Sequence, residues 1–421
     1  MIIVLDCIYL ILSILYLPEL IFKGKYRAGF FQRFGIYSAA LRQRMRKERF
    51  SVWLHAVSVG EIKAAAPLIK QLRDKHPELK LIISTITPTG NKVALQLAAK
   101  EDIVIYFPFD LSWIINKVFS LLSPKLLLIM ETELWPNAIN IAAKKNIKIV
   151  IVNGRISDKA FPRYQRAGFF FQPIIKKIDL LCMQTKLDAR RIIELGADEQ
   201  CVHVVGNIKF DQIAKPEQDN LPNIGLKPGQ RLIVAGSTHD NEEQQIAKIF
   251  KKLKAEDKNI RLLIAPRHPQ RVNQIAAMLE SEDMSAVLIS QLINSDAAAG
   301  QDKIFLLDMM GVLTDYYQLA DIVFVGGSLI KHGGQNPIEP ASLGKPIVFG
   351  KYMFNFAEVV KLFLDNHAAV CVNDLAELGN CLNELLTSKS KRDSLIINAK
   401  NVIAQNQGSG QRILALLDPL F

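Results

Sequence analysis

Short apolar segments rich in β-branched residues alternate with helical stretches from residue 51 almost to the end of the chain. Seven such segments run from SVWLHAVS, which begins at residue 51, to CVHVVGN, which begins at residue 201. Seven more run from RLIVAGS at residue 231 to AAVCVN at residue 368. Apolar runs separated by helices are typical of parallel sheets that helices cover on both faces. The sequence therefore predicts an α/β protein with two doubly wound, Rossmann-like domains that face a cleft.

A polar stretch separates the two series of segments. KPEQDNLPNIGLKPGQ, at 215–230, suits a linker because its Pro and Gly residues interrupt regular structure. A chain of 421 residues is also too long for one ordinary core. We predict a first domain over 23–210 and a second over 211–385. The closing segment, 386–421, has a helical pattern, and its helices are expected to return toward the first domain, as in similar folds.

The first 22 residues are apolar and contain no Lys or Arg, although they include Asp6 and Pro18. Residues 23–50 then carry nine Lys and Arg against Glu48 alone. An apolar run of about 20 residues can span a bilayer, and a basic flank of this kind stays on the cytoplasmic side. We predict a membrane-anchor helix over 1–22, with an in-plane amphipathic helix or a buried core helix as alternatives. The basic residues would attract anionic inner-membrane lipids.

Charge and cysteine content narrow the classes of protein. The formal net charge of +11 permits nucleic acid, an anionic membrane or acidic substrates as partners. Because no RNP, zinc-finger or helix-turn-helix pattern is present, we predict no nucleic-acid partner. The five cysteines and seven histidines are scattered without metal-ligand spacing, so we predict no metal site and a reducing compartment.

Polar residues follow the apolar segments in both halves of the chain. In WLHAVSVGE, at 53–61, a strand gives way to a helix, and Glu61 falls in the first helical turn. A carboxylate there is ordinary helix capping, because it faces the positive end of the helix dipole. The same corner is where open α/β sheets bind ligands. Polar groups gathered at so many strand ends indicate a cleft and an enzyme.

The second half has the features of a sugar-nucleotide site. Gly333 and Gly334 precede a proline-bounded helix start, where backbone N–H groups can bind phosphate. Glu339 falls in the first turn of that helix and can accept hydrogen bonds from ribose hydroxyls. Arg267 follows a strand in APRHPQR and suits phosphate or carboxylate. Neither a Walker lysine motif nor G-x-G-x-x-G after a first strand is present, which argues against ATPases and dehydrogenases.

Eight motifs together resemble one family, the 3-deoxy-D-manno-octulosonic acid (Kdo) transferases. The motifs are, in order, HAVSVGE, STITPTG, ETELWPN, NGRISD, GNIKFD, GST, PRHP and GGQNPIEPA. The resemblance implies a GT-B glycosyltransferase of lipopolysaccharide synthesis. Members move Kdo from CMP-Kdo to the lipid A precursor, lipid IVA, at the cytoplasmic face of the bacterial inner membrane. No cofactor is implied beyond the donor substrate CMP-Kdo.

The resemblance also implies roles for individual residues. Glu61 matches the general base that deprotonates the acceptor hydroxyl, and Glu131 and Lys209 match residues that stabilise the transition state. The family's CMP-contacting segments correspond to Pro266, Arg267, Met310, Gly311, Val312, Asn336, Pro337, Ile338 and Glu339. The residues themselves add Ser237 and Thr238, hydroxyl donors at a strand end, and His268, which follows a strand beside Arg267. Val312 departs from the family, which usually has Glu at that position, so any contact from the glutamate side chain is lost.

Several other residues have structural interpretations. His55 is predicted to be a satisfied buried imidazole, and Trp135 and Pro136 suit packing and helix initiation as well as substrate contact. His239 and His332 could reach a phosphate. RYQRAGFFFQPIIKK, at 163–177, suits a membrane surface or acyl chains, and a core-facing aromatic run explains it equally well.

Three other classes of protein stay open from the residues alone. A sugar-nucleotide epimerase shares the architecture but does not need a basic, lipid-directed segment. A membrane-surface scaffold does not need Glu61 and Arg267 at strand ends. A nucleic-acid binder explains the charge and little else.

Overall fold

The computed structural model describes residue 6 and residues 28–48, 50–211, 223–293 and 303–421. The chain forms two compact units, one of residues up to 212 together with 406–421, and one of residues 213–405. Of the predicted anchor over 1–22, only Asp6 belongs to the described residues, so the anchor prediction itself lies outside them. Within the described ranges, no helix combines the length and the apolar character that crossing a membrane requires.

Among the described residues before 212, the first unit contains seven strands and nine α-helices. The strands are β1 Val52–His55, β2 Leu81–Thr85, β3 Ile103–Tyr106, β4 Leu126–Met130, β5 Lys148–Gly154, β6 Leu180–Met183 and β7 Val202–Val204. The α-helices of these described residues are α1 Phe30–Arg33, α2 Ala39–Lys47, α3 Val59–Lys75, α4 Pro88–Leu97, α5 Ser112–Leu122, α6 Pro136–Lys144, α7 Phe161–Arg166, α8 Gly168–Ile175 and α9 Lys186–Glu194.

The second unit repeats this alternation. Its strands are β8 Arg231–Thr238, β9 Ile260–Pro266, β10 Ala286–Leu288, β11 Ile304–Leu306, β12 Ile322–Val325, β13 Ile347–Gly350 and β14 Val370–Val372. Its helices are α10 Glu242–Glu256, α11 Val272–Ser281, α12 Ile289–Ile293, α13 Leu313–Leu319, α14 Ile338–Ser342, α15 Ala357–Asp365, α16 Leu375–Thr387 and α17 Lys389–Asn406, and the last helix of the chain, α18 Ser409–Leu417, lies in the first unit.

Both units are doubly wound, wholly parallel sheets. The strand orders are β3-β2-β1-β4-β5-β6-β7 and β10-β11-β9-β8-β12-β13-β14. The direction of winding reverses between β1 and β4 in the first sheet and between β8 and β12 in the second. Each of the fourteen predicted segments contains one of these strands, so the prediction of two Rossmann-like parallel sheets is confirmed. Ligands bind at such switch points, outside the carboxyl ends of the strands.

The first sheet is covered on both faces by apolar helix stripes. Residues of α3, α4 and α18 pack with Leu54 on one face, whereas residues of α5 and α6 pack with Trp53 on the other. Successive strand residues point to opposite faces, which is why neighbours in the sequence belong to different cores. All of β1, β2 and β4 is buried, as expected for central strands of a parallel sheet.

The closing helices divide between the units. Residues 386–405 lie in the second unit, where Leu395 and Ala399 are buried, so only the last helix returns to the first unit. The carboxylate of Asp211 accepts hydrogen bonds from the backbone N–H groups of Gly408, at 2.7 Å, and Gly410, at 2.5 Å. A carboxylate that satisfies N–H groups at a helix start holds α18 against the unit that supplies it.

Candidate active site

Glu61 and Glu131 lie at the switch point of the first sheet. Glu61 is in the first turn of α3, which follows β1, and Glu131 directly follows β4. Because β1 and β4 are adjacent and parallel, the segments that leave their carboxyl ends start side by side. Glu131 has a left-handed backbone with φ of +56°, an unusual conformation for a residue with a side chain. Backbone strain of this kind clusters at functional sites.

Glu61 is both a helix cap and a basic carboxylate. One of its oxygens accepts from the Ser58 hydroxyl at 2.8 Å and the other from the Val57 backbone N–H at 2.7 Å. Burial first, and then the charge of Glu131, raise the pKa of Glu61 to about 7, although those two hydrogen bonds act to lower it. A general base works best when its pKa lies near the working pH. The capping contacts hold this carboxylate in place without abolishing its basicity.

Glu131 is paired with two cations. One carboxylate oxygen lies 3.5 Å from the ammonium of Lys209 and the other lies 3.3 Å from Nε of Arg155. Arg155 follows β5, and its backbone is tied to Glu131's neighbour by reciprocal hydrogen bonds with the Thr132 hydroxyl, at 2.6 and 2.8 Å. Glu131, Arg155 and Lys209 thus come from three separate strand ends. The structure brings the predicted Glu131 and Lys209 together and adds Arg155.

A buried amide network supports Lys209 from below. The side chain of Asn207 accepts from the Lys209 backbone N–H and donates to Gln184, both at 3.0 Å. The Gln184 amide donates to the backbone of Asn153 at 3.0 Å, and the Asn153 side chain accepts from the Ile208 N–H at 3.0 Å. Buried amides whose bonds are formed fix a unique geometry, because breaking one leaves a costly unpaired polar group.

His55 and Trp135 pack beneath this edge. His55 is fully buried, its Nδ1 lies 2.9 Å from the Ser84 hydroxyl, and its ring stacks on Phe107 at 3.9 Å. Burial lowers the pKa of His55 to about 3, so the ring is neutral at physiological pH. Trp135 packs against both rings and directly precedes Pro136, the first residue of α6. Both residues pack in the described core, but the prediction of a satisfied imidazole is only partly right, because Nε2 of His55 is buried without a hydrogen-bond partner, as is the indole N–H of Trp135.

Residues 163–177 form parts of α7 and α8, and the aromatic side chains of this segment differ in their exposure. Phe170 and Phe171 pack against the core, whereas Phe169 is 85% exposed. Burial first, and then the charge of Glu133, raise the pKa of the Tyr164 phenol. Burial and the charge of Glu131 also raise the pKa of Glu133, so Tyr164 of α7 is linked electrostatically to the carboxylates that follow β4.

The predicted nucleotide-binding residues lie at the carboxyl edge of the second sheet. Ser237 and Thr238 end β8, Pro266 ends β9 and is followed by Arg267 and His268, Met310, Gly311 and Val312 follow β11, and Asn336, Pro337, Ile338 and Glu339 follow the loop after β12. The Arg267 backbone N–H donates to the Thr238 carbonyl at 2.9 Å, which joins the first two groups. The Thr238 hydroxyl is buried and donates to Glu243 at 3.1 Å.

The loop after β12 approaches the end of β8 backbone to backbone. A Cβ on Gly326 would lie 2.5 Å from the Ser237 carbonyl oxygen, so no side chain fits there. Gly334 has φ of +72°, and a Cβ on it would meet the Met353 sulfur at 2.0 Å. These glycines are required by close approach and by a left-handed backbone. At these positions the loop at the second switch point presents backbone groups without side chains.

Glu242 holds this loop in place, although the sequence did not single it out. Its carboxylate is fully buried and accepts four backbone N–H groups, those of Gly327 at 2.6 Å and of Ser328, Leu329 and His239 at 3.0 Å. One side chain thus connects the start of α10 to the glycine-rich loop. Glu242 belongs to the stretch GSTHDNEE, at 236–243. Nothing in that stretch shows that the carboxylate turns inward to a loop 85 residues away.

Three histidines and two arginines gather at this edge of the second sheet, where Arg271 is paired with Asp240 and Glu243. The His239 ring lies 3.7 Å from that of His332 and 6.1 Å from that of His268. Burial, together with the charges of His332, His268, Arg267 and Arg271, lowers the pKa of His239 to about 4. Surroundings that disfavour a positive charge on His239 favour the binding of an anion. Among the described residues, no group of three or more His, Cys, Asp and Glu is arranged to hold a metal ion.

Asn336 and Glu339 form a small hydrogen-bonded turn at the start of α14. The Asn336 side chain donates to Glu339 at 3.0 Å and accepts from the Ile338 backbone N–H at 3.0 Å. Glu339 falls in the first helical turn, as predicted. Met310 is 66% exposed, and Val312 directly precedes α13. The 310–312 loop lies one strand beyond β9 at the same edge of the sheet.

Two family sequence profiles cover most of the chain. The profile described as 3-Deoxy-D-manno-octulosonic-acid transferase (kdotransferase) matches residues 28–212. The profile described as Glycosyl transferases group 1 matches residues 217–402. A 3-deoxy-D-manno-octulosonic acid transferase of Haemophilus influenzae is 34% identical over 400 residues, which cover 94% of this chain and 92% of the relative.

Solved structures show similarity in fold. The UDP-GlcNAc 2-epimerase from Neisseria meningitidis, bound to UDP-GlcNAc, matches 87% of this chain and 99% of its own with a TM-score of 0.53 and 14% identity. The C-terminal CMP-Kdo binding domain from Acinetobacter baumannii is 28% identical, with a TM-score of 0.40, over 42% of this chain and 90% of its own. The epimerase likeness supports a GT-B-like fold for the pair of Rossmann-like units.

Proposed function

Because this chain belongs to the 3-deoxy-D-manno-octulosonic acid (Kdo) transferases, we propose that it transfers Kdo from CMP-Kdo to the lipid A precursor lipid IVA. In this reaction an acceptor hydroxyl oxygen forms a bond to the anomeric carbon of Kdo. The bond from that carbon to the phosphate oxygen breaks, and CMP leaves with the bonding electrons. The hydroxyl proton must go to a base as the new bond forms.

Glu61 is the base in this proposal. The observation that carries the assignment is a buried carboxylate with a pKa of about 7 at the switch point of the first sheet. An exposed glutamate would be ionised at neutral pH but would be a weak base, whereas burial makes the Glu61 carboxylate a stronger proton acceptor. Its contacts with Ser58 and Val57 fix its direction, which a catalytic base requires.

Glu131, Lys209 and Arg155 form the charged platform beside the base. The sugar donor carries a carboxylate, and the transition state moves negative charge onto the departing phosphate. Lys209 and Arg155 can stabilise such charge, and Glu131 positions them, since its carboxylate oxygens lie 3.5 Å from the Lys209 ammonium and 3.3 Å from Nε of Arg155. We assign Glu131 and Lys209 to transition-state stabilisation and add Arg155 to that pair.

The second unit binds the CMP part of the donor in this proposal. Arg267 supplies a cation, and the histidine cluster and the glycine-rich loop supply ring and backbone N–H groups suited to a phosphate. Glu339, in the first turn of α14, faces ribose hydroxyls, and the 310–312 loop contributes backbone donors in place of the glutamate that Val312 replaces. The donor CMP-Kdo then needs no further cofactor and no metal.

The acceptor carries acyl chains, which an exposed apolar surface would meet. Phe169 on α8, together with Arg163 and Arg166 exposed on α7, offers one such surface. The membrane-anchor helix over 1–22 and the basic residues that follow would hold the enzyme on anionic lipid, with both units on the cytoplasmic side of the inner membrane. This location supplies a lipid substrate without extracting it from the bilayer.

Incubation with CMP-Kdo and detergent-dispersed lipid IVA tests the proposal. We expect CMP release that depends on the acceptor, together with a lipid product heavier by one or more Kdo residues, measured by mass spectrometry. Incubation with UDP-GlcNAc alone is the control for the epimerase alternative. Epimerised UDP-sugar in the control, with no heavier lipid in the first reaction, would refute the transferase assignment.

A further inference from the structure

A cavity of about 750 Å³ lies at the amino-terminal edge of the first sheet, between α2 and α5. Its floor is apolar and consists of the buried side chains of Met45, Phe50 and Leu122. Ser51 and Lys125, which directly precede β1 and β4, line the cavity. Glu61 and Glu131 follow the same two strands, so the cavity lies at the opposite edge from the candidate active site. The separation is roughly 15 Å, at about 3.3 Å per strand residue.

The rim of the cavity carries an excess of positive charge. Four exposed cations line it: Arg42, Arg46, Lys117 and Lys125. The single carboxylate in the lining, Glu48, already pairs with Arg44 at 2.9 Å and with Lys80 at 3.2 Å. The carboxyl ends of α2 and α5 lie here, and each contributes about half a negative charge. Their sum balances only about one of the four cations.

Two exposed apolar side chains neighbour, along the chain, residues that line the cavity. Trp113 is 51% exposed and lies one helical turn before Lys117 on α5, where residues four apart share a face. Ile36 is 47% exposed and follows Gly35, which lines the cavity and packs against Val118 of α5. An indole beside cations, with aliphatic groups next to it, is the pattern of a surface that lies at a lipid headgroup layer.

We propose that this cavity binds the phosphate headgroup of an anionic phospholipid, an inference that rests on the membrane location given under the proposed function. The cations of Arg42, Arg46, Lys117 and Lys125 take the phosphate, and the floor of Met45, Phe50 and Leu122 receives the glycerol and the first methylenes. Trp113 and Ile36 lie among the neighbouring lipids. The site binds a structural lipid, not the acceptor sugar, because the strands separate it from Glu61 and Glu131.

Equilibrium binding of radiolabelled lipid to the full-length protein in neutral detergent micelles tests the proposal. We expect phosphatidylglycerol to bind at least tenfold more tightly than phosphatidylcholine. The double variant Arg46→Gln/Lys117→Gln should lose on the order of tenfold or more of that preference, since each basic residue near a lipid surface contributes measurably. Equal binding of the two lipids, or an unchanged preference in the variant, would overturn the proposal, as would displacement by millimolar inorganic phosphate.

Matched controls separate this site from general charge and from catalysis. Lys70→Gln/Lys92→Gln removes the same charge from exposed positions on α3 and α4, which cover the other face of the sheet, and should keep the preference. Transfer of Kdo is measured on the same samples, and the Arg46/Lys117 variant should retain kcat. If no sample transfers Kdo, the proposed function fails, whereas the lipid measurement still decides the cavity.

Discussion

The ammonium of Lys209 lies 3.5 Å from a carboxylate oxygen of Glu131, although 78 residues separate them in the chain. The pair joins the end of β4 to the short helical turn after β7. The negative charge of Glu131 also acts on Glu61, where it is the second cause, after burial, of the raised pKa. One carboxylate therefore connects the electrostatics of the base to those of the cations beside it.

Removal of the proton acceptor should leave a folded protein with little activity. Glu61→Gln preserves the size of the side chain, but an amide cannot take a proton, so we expect kcat to fall about 10²-fold or more. In the unmodified protein, kcat/KM should fall as the pH drops through about 7, since only the ionised carboxylate accepts a proton. A pH–rate profile measured by CMP release checks both statements, and near-normal turnover of the variant would remove Glu61 from the role.

The same carboxylate should lower stability at alkaline pH. The pKa of Glu61 is about 7 in the folded protein and 4.5 ordinarily, so its contribution to stability is complete below 4.5 and is lost as the pH rises through 7. The loss is at most about 3 kcal/mol, at 1.4 kcal/mol per pKa unit. Thermal unfolding at pH 5 and pH 8 should therefore show a smaller decline for Glu61→Gln than for the unmodified chain. An equal decline in the two proteins would contradict the raised pKa.

Neutralising Glu131 should shift the titration of Glu61. Glu131→Gln removes the charge that raises the Glu61 pKa, so the acid limb of the pH–rate profile should move to lower pH. The variant should also lose at least tenfold in kcat, because Lys209 and Arg155 lose their shared partner. Glu133→Gln is the matched control, since the Glu133 charge is the smallest of the named causes and should shift the limb less. An acid limb that stays at the same pH in Glu131→Gln would show that the charge of Glu131 does not raise the pKa of Glu61.

Loosening the glycine-rich loop should weaken nucleotide binding. Glu242→Gln keeps one accepting oxygen but presents an NH₂ group to two of the four backbone N–H groups. An unpaired buried donor costs about 1–3 kcal/mol, so we expect CMP affinity to fall about tenfold or more by calorimetry. The exposed Glu256→Gln, at the other end of α10, should bind CMP normally. Unchanged affinity in Glu242→Gln would mean that the loop does not contact CMP.

Membrane extraction tests the predicted anchor over 1–22. The full-length chain should resist high salt and require detergent, because burial of apolar area is not screened, whereas a chain that begins at residue 23 should bind anionic vesicles weakly and dissociate in salt. Asp6 accepts from the Ser112 N–H at 2.9 Å and from the Asn137 amide at 3.0 Å, so the shortened chain should also melt several degrees lower. A shortened chain that still resists salt would place the main membrane contact elsewhere, with the exposed Phe169 as the first candidate.

The succession of strands and helices along the chain was determined by the sequence alone. Most of the fourteen strands lie in segments whose residues are apolar on both faces, and that pattern depends only on local composition and on burial between two layers of helices. The helix start at Ser58 and Glu61 is likewise local, because capping contacts join residues three apart. The match to the Kdo transferase family follows from the same linear motifs.

Only the tertiary structure decided which charges act on one another. Glu131, Arg155 and Lys209 meet because the strand order places the ends of β4, β5 and β7 at one edge, and no local pattern encodes that order. Glu242 looks like an ordinary first-turn acid in the sequence, yet its carboxylate accepts hydrogen bonds from a loop that follows β12. The raised pKa of Glu61 has the same origin, since burial and the field of Glu131 are properties of the packed chain. Electrostatic energy depends on distance through space and on exclusion of water, and both are set only when the chain has folded.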